Sequence, residues 1–242
     1  MSSLEHFSEE NLNNWSIEWA HCNYKPTIEN MIRNFGLTKA MEIGGGRDPL
    51  FQSEEIKKLR LDFTVNDVSQ HELDLAPMFI KKACFDIGGR IEHTNTYDII
   101  FSKMVFEHVS DVEQAYNNIR SLLNPEGICI NFHPVLYAFP FLFNSLIPER
   151  LSTIVVNILQ DGRDMDNIPK FPARYDWCYA SRAQRERILK IGFAEVVIVP
   201  FWGHSYFFKF PPLQKGVDFV SRFFANRNNL TFASYAYTIV RK

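Results

Sequence analysis

The feature that most constrains the fold is an alternation of short apolar runs with stretches of helical pattern along most of the chain. Seven runs predict strands: KAMEI, LDFTVND, ACFDI, YDIIFS, ICINFH, AEVVIVPF and FASYAYTIV. Helical stretches or short connections separate the first four runs, which is typical of a parallel sheet covered by helices on both faces. The alternation therefore predicts an α/β protein with a doubly wound sheet.

The last two runs differ from the others because they alternate apolar residues with polar or small ones. This pattern favours strands at the edge of the sheet over strands at its centre. A long excursion, residues 201–229, joins the two runs, so the pair can be antiparallel. We find no internal repeat and no low-complexity linker, which indicates a single domain.

Composition and charge exclude several classes of protein. The 242 residues are 46% hydrophobic and 22% charged, as in a soluble globular protein, and the net charge of −2 gives no reason to expect a nucleic-acid partner. The four cysteines are scattered without a C-x-x-C pair, and the polar, acidic N-terminus lacks the features of a secretory signal. Free thiols in the cytoplasm are therefore expected.

Residues 133–159 are apolar enough to require a test against a membrane span. Pro140, Pro148 and the pair Glu149–Arg150 interrupt them, so no uninterrupted stretch of about 20 apolar residues remains. We therefore expect no transmembrane segment, while weak contact of these residues with a membrane surface stays open.

The stretch AMEIGGGRDP, residues 40–49, places three glycines directly after a predicted strand. Glycine turns at this position hold nucleotide-like ligands in open α/β sheets, because the backbone can approach the ligand closely. The dinucleotide fingerprint needs a third small residue where this chain has Pro49, and the phosphate loop G-x-x-x-x-G-K-[ST] is absent. A nucleoside-like ligand without a pyrophosphate fits better.

Acidic residues follow the next strands in a regular series. Asp67 ends the second predicted strand, where a carboxylate can accept hydrogen bonds from both ribose hydroxyls. Asp86 ends the third, where it can accept from an exocyclic amine while Phe85 or Ile87 packs on a ring. Glu42 lies inside the first strand and needs a partner, for which the ammonium of a ligand is a candidate.

Four motifs in order, EIGGGRDP, VNDVS, CFDIGG and YDIIFSKMVFEHVSDVEQAYNNIRSLLNPEG, resemble those of the class I S-adenosylmethionine-dependent methyltransferases. The resemblance covers about residues 38–135. It implies a seven-stranded sheet with an antiparallel last strand, and S-adenosylmethionine as the cofactor, lying over the carboxyl ends of the first strands. The cofactor-binding residues that it implies are Glu42, Gly44, Gly45, Gly46, Asp67, Val68, Phe85, Asp86, Ile87 and Ser102.

Within that set, the resemblance assigns the glycines to the methionine part, Asp67 to the ribose, Asp86 and its neighbours to the adenine, and Ser102 to the region beside the sulfonium. Structural roles remain as alternatives. Asp67 can cap a helix, and Asp86 before two glycines can form an ordinary turn. Glu107 and His108 can serve mainly to fix the helix after the fourth strand.

The fourth strand ends in SKMV, whereas methyltransferases acting on exocyclic amines or Gln side chains tend to carry Asn/Asp-Pro-Pro-aromatic there. This favours transfer to oxygen or to another small-molecule nucleophile. An alcohol needs a general base, and histidine suits that role near neutral pH. We expect His133 first and His204 second, since both follow strands at the carboxyl edge, with His108 behind them.

The segments KFPARYDWCY and GHSYFFKFPPL also resemble methyltransferases that act on sugars or surface glycans. Arg174 and Tyr175 are candidates for contact with a sugar or sugar phosphate, and plain exposure at the surface is the alternative. We therefore expect a small-molecule or carbohydrate acceptor. An apolar or lipid-linked acceptor, suggested by the aromatic run at 135–147, is the alternative, and a cofactor-binding subunit without turnover is another.

The same central segment contains Asp161, Asp164 and Asp166, which could bind a divalent metal, but acids in a loop are more often solvated, so we expect no metal. The chain divides into a helical cap (1–35), a cofactor-binding half (36–133), an inserted acceptor-site segment (134–180) and a C-terminal part with a helix and edge strands (181–242). Nothing in the sequence indicates an oligomeric state.

Overall fold

The computed structural model describes residues 4, 16–136, 172–204, 207 and 209–242. Seven strands of this part form one sheet in the order β3-β2-β1-β4-β5-β7-β6. Their bounds are β1 Lys39–Ile43, β2 Asp62–Asp67, β3 Lys81–Cys84, β4 Tyr97–Lys103, β5 Leu123–Pro134, β6 Glu195–Phe201 and β7 Tyr235–Arg241. Each corresponds to one of the seven predicted runs.

The α-helices among the described residues are α1 Ile17–Phe35, α2 Ser53–Leu59, α3 Gln70–Leu75, α4 Val112–Leu122, α5 Arg182–Leu189 and α6 Pro211–Ala225. Short 3₁₀ turns cover Phe106–His108 and Leu230–Phe232. Strands β1 to β5 are parallel where they pair, and β7 is antiparallel to both β5 and β6. The predicted α/β fold with an antiparallel last strand is confirmed.

The placement of β7 corrects one expectation, since this strand lies between β5 and β6 rather than at the edge of the sheet. Its residues 236–240 are buried on both faces. Thr238 is a polar residue of this alternating run. Its hydroxyl oxygen lies 2.8 Å from Nε2 of His133. A polar residue satisfied inside the sheet therefore produced the same alternation that solvent would produce.

One apolar cluster lies on each face of the sheet. On the first face, Tyr24 and Ile28 of α1 pack with Phe101 and Phe132 of the central strands. On the second face, Tyr116 and Ile119 of α4 belong to the other cluster. The two clusters explain why the central strands are apolar on both sides.

Helix α1 has a side-chain cap at its start and a glycine at its end. The hydroxyl of Ser16 accepts a hydrogen bond from Trp19 N at 3.1 Å, and Gly36 ends the helix with a φ of 64°. Residues 1–3 and 5–15 of the predicted cap lie outside the described residues, as do residues 137–171 of the predicted acceptor-site segment. That second range contains Asp161, Asp164 and Asp166, and most of the aromatic run at 135–147.

Candidate functional site

The carboxyl ends of β1 to β6 lie at one edge of the sheet, because β6 runs parallel to the first five strands. Strand β1 pairs with β2 on one side and with β4 on the other, so the strand order reverses between β1 and β4. Open α/β sheets bind ligands outside such a reversal. The turn that follows β1 therefore lies where a sheet of this kind binds its ligand.

The turn after β1 leaves no room for side chains at three consecutive positions. Gly44 and Gly46 have φ values of 71° and 46°, which favour glycine. A Cβ on Gly44 would lie 2.5 Å from Val105 Cγ2, and one on Gly45 would lie 2.8 Å from Cδ of Glu42. The triple glycine thus allows the backbone to pass between the carboxyl end of β1 and the loop after β4.

The amides of this turn are held by β2. Gly44 N and Gly45 N both donate to Asn66 O, at 2.8 and 3.2 Å. The buried side chain of Asn66 donates through Nδ2 to Ala83 O and Phe85 O, at 2.9 and 3.0 Å. Asn66 therefore links the glycine turn, β2 and the end of β3. The motifs around β1 and β2 did not reveal this role, although a polar residue inside an apolar strand is a signal that it has a partner.

Asp67 and the glycine turn come together at this edge. A Cβ on Gly46 would lie 3.0 Å from Asp67 Oδ2, while Oδ1 accepts a hydrogen bond from Ser69 N at 2.8 Å. Burial raises the pKa of Asp67, and the nearby carboxylate of Glu72 raises it further, against the hydrogen bond from Ser69. Ser69, rather than Asp67, is the N-cap of α3. The carboxylate of Asp67 is thus beside the turn and half-buried.

An ion pair closes the outer side of the turn. Arg47 donates from Nε and Nη2 to the two carboxylate oxygens of Glu72, each at 2.6 Å. The pair joins the residue directly after the glycines to the first turn of α3. Such a two-point contact holds both side chains in a defined geometry. The S-x-x-E pattern at Ser69–Glu72 predicts a helix cap, but gave no sign that Glu72 would pair with Arg47.

Glu42 is buried inside β1 with 6% of its surface exposed, and its Oε2 accepts a hydrogen bond from Leu50 N at 2.9 Å. Burial raises its pKa to about 8, partly offset by that hydrogen bond and increased by the charge of Asp48. The carboxyl of Glu42 therefore has a partner in the loop that follows the glycines, the backbone N–H of Leu50. Its role toward a ligand's ammonium stays a prediction.

Asp86, shortly after β3, lies in a hydrogen-bonded turn. Such a turn is the structural role that the sequence offers for Asp86 besides binding of adenine. Asp86 Oδ1 accepts from Gly88 N at 2.8 Å, and Asp86 O accepts from Gly89 N at 3.0 Å. Ile87 is buried in the core, whereas Phe85 is half-buried and its ring lies 5.4 Å from that of His93. Val68, at the end of β2, is 53% exposed. Contact of Phe85, Asp86 and Ile87 with the adenine stays a prediction, as does contact of Val68 with the cofactor.

Ser102 is fully buried, and its hydroxyl donates to Asn131 Oδ1 at 2.9 Å. His133 lies two residues after Asn131 on β5, on the same face of the sheet. Its Nδ1 lies 3.0 Å from Pro134 O. A carbonyl can only accept, so Nδ1 donates and Nε2 accepts from the hydroxyl of Thr238. Burial lowers the pKa of His133 to about 4, and the imidazole is neutral near pH 7.

His204 follows β6, with its ring 5.5 Å from that of Phe207 and 6% of its surface exposed. Burial lowers its pKa to about 4, against the effect of Asp218. In the strand order, β6 is three strands away from β4, which corresponds to about 14 Å along the edge, whereas β5 is adjacent to β4. His204 is therefore farther from the glycine turn than His133.

Glu107 lies in the 3₁₀ turn that follows β4 and is buried. Burial raises its pKa to about 7. Its carbonyl accepts from Arg174 N at 2.7 Å, and among the described residues its Oε2 has no hydrogen-bond partner. His108 Nδ1 lies 3.3 Å from Pro172 O. The FEH motif thus joins β4 to residues 172–175 as well as to the helix that follows.

Two further observations limit the chemistry of the described residues. In this part of the chain, the His, Cys, Asp and Glu side chains form no group of three or more that could hold a metal ion. No helix of the described ranges has both the length and the apolar character that crossing a membrane requires.

The edge fits a nucleoside-like group. Side chains at the glycine turn would fill the space beside Val105 and Asp67, and the carboxylate of Asp67 can accept hydrogen bonds from hydroxyl groups. S-adenosylmethionine has this chemistry, and the residues present fit it.

Comparison with known proteins gives a consistent result. Residues 42–131 match a family model described as a methyltransferase domain. None of the curated proteins searched matches the sequence significantly. The fold is similar to that of an S-adenosylmethionine-dependent methyltransferase from Archaeoglobus fulgidus, with 12% identity, 90% of this chain and 94% of that chain covered, and a TM-score of 0.52.

Two other solved structures are similar. One is a putative sarcosine dimethylglycine methyltransferase from Galdieria sulphuraria, with 12% identity, 96% and 90% covered, and a TM-score of 0.53. The other is phosphoethanolamine N-methyltransferase 2 from Haemonchus contortus in complex with S-adenosylmethionine, with 14% identity, 85% of this chain covered and a TM-score of 0.52. The chain spans 48% of that protein's length. At these identities the likeness concerns the fold.

The family match covers the glycine turn, the carboxylate after β2 and the strands on both sides of the reversal. Residues 42–131 thus carry the sequence pattern of a methyltransferase domain, and the seven-stranded sheet has the Rossmann-like fold seen in S-adenosylmethionine-dependent methyltransferases.

Proposed function

We propose that this protein transfers the methyl group of S-adenosylmethionine to an oxygen of a small-molecule or carbohydrate acceptor. The observation that carries the proposal is the meeting of a side-chain-free turn, Gly44–Gly46, with the carboxylate of Asp67 at the strand-order reversal. When bound, S-adenosylmethionine supplies a methyl group activated by a sulfonium. The methyl carbon would exchange its bond to sulfur for one to the acceptor oxygen, and S-adenosylhomocysteine would be left.

The donor side of the proposal assigns a separate task to each group. The backbone at Gly44–Gly46 holds the methionine part, Asp67 accepts from the ribose hydroxyls, and the residues after β3 pack on the adenine. Val68, Phe85, Asp86, Ile87 and Ser102 complete the proposed set. Glu42 acts on the ligand's ammonium through the loop that it holds at Leu50.

On the acceptor side, the chain must align the acceptor's oxygen with the methyl group and take up its proton. We propose His133 or His204 as the base. Both have a pKa of about 4 and so keep a lone pair at neutral pH. His133 is nearer to β4, but its Nε2 is engaged by Thr238, which must turn away before a proton can be taken.

The donor site is tested by calorimetry with S-adenosylhomocysteine. Asp67→Ala should weaken binding about tenfold to a hundredfold, because hydrogen bonds to a charged group are lost. Asp74→Ala, which removes an exposed carboxylate from α3, is the matched control and should leave the affinity unchanged. Equal affinity of the Asp67 variant and the wild type would remove Asp67 from the ribose role.

The base is tested by turnover with whichever acceptor a screen of sugars and small alcohols identifies. Replacing the catalytic histidine by Ala should lower kcat by about a hundredfold or more, with little effect on S-adenosylhomocysteine affinity. Thr238→Val separates the two candidates: it frees Nε2 of His133 and should alter kcat only if His133 is the base. If neither histidine variant changes kcat, neither is the base.

Adding lipid vesicles or detergent to the same screen distinguishes the alternative acceptor. Methylation that occurs only with lipid-linked or apolar compounds would replace the carbohydrate proposal. Tight binding of S-adenosylhomocysteine without turnover on any acceptor class would favour a cofactor-binding subunit.

A further inference from the structure

Helix α6 has two sides of different environment. Its inner side includes Phe224 and Ala225, which are half-buried and pack against a small apolar cluster that contains Trp202 and Ala236. Its outer side carries four apolar residues that are each at least 44% exposed: Leu213 at 50%, Phe219 at 72%, Val220 at 50% and Phe223 at 44%. The helix is thus anchored by one side and presents an apolar surface on the other.

Phe219, Val220 and Phe223 follow Leu213 by six, seven and ten positions. At about 3.6 residues per turn, these spacings place all four on one side of the helix. We call Leu213, Phe219, Val220 and Phe223 the outer face. Phe210 at the start of the helix and Phe232 after its end are 48% and 46% exposed, so they extend the apolar surface in sequence. Exposed apolar residues scattered singly need no explanation, but a concentration of large ones on one helix indicates a binding surface.

The charges around the outer face have one predominant sign. Residues 209–232 contain the cations Lys209, Lys215, Arg222 and Arg227, and a single acid, Asp218. Lys215 is exposed and lies seven residues before Arg222, on the side of the helix that borders the outer face. Arg227 places its guanidinium 3.7 Å from the ring centre of Phe223. Asp218 accepts a hydrogen bond from Gln214 at 2.8 Å on the inner side.

Topology places α6 at the edge of the sheet that carries the donor site. The chain leaves β6 at Phe201 and enters β7 at Tyr235, and these two residues are paired in the sheet. Tyr235 is also paired with Pro134, the last residue of β5. The whole excursion that contains α6 therefore begins and ends at the carboxyl edge, where Gly44 and Asp67 lie.

We propose that the outer face of α6 binds the surface of an anionic lipid membrane. A helix with Phe and Leu on one side and Lys and Arg beside them lies in the interface between headgroups and acyl chains. The cations are attracted to negative lipid headgroups, which an uncharged protein groove would not require. Bound in this way, the protein holds the carboxyl edge of its sheet close to the membrane. This inference does not depend on the identity of the acceptor.

Co-flotation of the whole protein with vesicles tests the proposal. One set of vesicles contains phosphatidylcholine alone, and the other contains about one third phosphatidylglycerol. The wild type should float with the anionic vesicles and much less with the neutral ones. Phe219→Asp combined with Phe223→Asp should reduce the bound fraction on anionic vesicles at least about tenfold, since the apolar contact is lost and negative charge is added.

The cationic border is tested separately by Lys215→Glu, which should reduce binding to anionic vesicles several-fold and make it less dependent on salt. Two matched controls carry the same chemical changes elsewhere. Met78→Asp alters a residue that is 96% exposed in the connection before β3, and Lys57→Glu alters an exposed lysine on α2. Both controls should float like the wild type.

Several outcomes would overturn the proposal: a wild type that stays in solution with both kinds of vesicle, or controls that lose binding as much as the α6 variants. Concentration-dependent dimers in solution that the Phe219/Phe223 variant abolishes, without vesicle binding, would assign the outer face to a second copy of the chain. Calorimetry with S-adenosylhomocysteine on every variant keeps the test separate from the methyl-transfer proposal, because surface changes on α6 should not alter donor affinity.

Discussion

Gly44 combines two constraints at a single residue. Its φ of 71° disfavours any side chain, and a Cβ there would meet Val105 at 2.5 Å. Gly36, which ends α1, has a similar φ of 64° but no heavy atom within 4 Å of a built Cβ. A substitution at Gly36 therefore adds only the cost of the backbone conformation. A substitution at Gly44 adds the same cost and, in addition, a contact with Val105 in the loop after β4.

We predict that Gly36→Ala destabilises the protein by about 1 kcal/mol, the usual cost of a left-handed backbone for a residue with a Cβ. Gly44→Ala should cost more, because Val105 must also move, and it should weaken S-adenosylhomocysteine binding at least about tenfold. Urea denaturation and calorimetry on both variants measure the two effects. Equal donor affinity in the two variants would contradict a role of the turn in binding.

At the scale of elements, one of the hydroxyls that join helix α1 to the sheet belongs to Tyr24. Tyr24 is fully buried, and its hydroxyl lies 2.5 Å from Ser102 O in β4 and 3.0 Å from Ile130 O in β5. Burial raises the pKa of Tyr24 well above its usual value, so the group is a hydrogen-bond donor at all ordinary pH values. Its single hydrogen is directed at two carbonyls of the buried central strands.

We predict that Tyr24→Phe lowers the free energy of unfolding by about 1 to 1.5 kcal/mol, since a buried hydrogen bond that joins α1 to the paired strands β4 and β5 is lost. Thr27→Ala is the matched control on the same helix, where the lost hydroxyl donates only to Asn23 O, one turn back in α1. It should cost clearly less. Similar values for the two variants in urea denaturation would show that the link from α1 to the sheet contributes little.

At the scale of the whole molecule, buried titratable groups shape the dependence of stability on pH. Burial raises the pKa of Glu42 to about 8 and that of Glu107 to about 7. It lowers the pKa of His21, His133 and His204 to about 4. The folded protein therefore keeps two protons on carboxyls that the unfolded chain releases near pH 4.5. It also lacks three protons that the histidines of the unfolded chain bind below about pH 6.5.

The signs of these effects differ. The raised carboxyl pKa values contribute stability below pH 4.5 that is lost as the pH rises to about 8. The lowered histidine values contribute stability above pH 6.5 that is lost as the pH falls to about 4. Between pH 4.5 and 6.5 the two oppose each other, and above pH 6.5 only the carboxyl effect remains.

We predict that the free energy of unfolding falls between pH 6.5 and pH 8, with a slope of up to about 1.4 kcal/mol per pH unit for each carboxyl. Glu42→Gln combined with Glu107→Gln should remove this fall, whereas Glu54→Gln on the exposed side of α2 should keep it. Urea denaturation of the protein without ligand measures the slope. An unchanged slope in the double variant would show that neither carboxyl holds its proton in the folded protein.

The amino-acid sequence by itself determined the class of fold and the order of its strands along the chain. The strand runs are apolar on both faces and the helices carry their own caps, such as Ser16 and Gly36, so local patterns suffice to locate them. The glycine turn and Asp67 were also found this way, because parallel strands bring their carboxyl ends to one edge. These features depend on residues close in sequence or on a rule of topology.

Only the tertiary structure decided how distant residues meet. It placed β7 inside the sheet, paired Arg47 with Glu72, turned Asn66 toward the glycine turn and β3, and set His133 of β5 against Thr238 of β7. It also left the outer face of α6 exposed rather than packed. The physical reason is that periodicity shows which side of an element is apolar, whereas burial and hydrogen-bond partners depend on contacts between residues far apart along the chain.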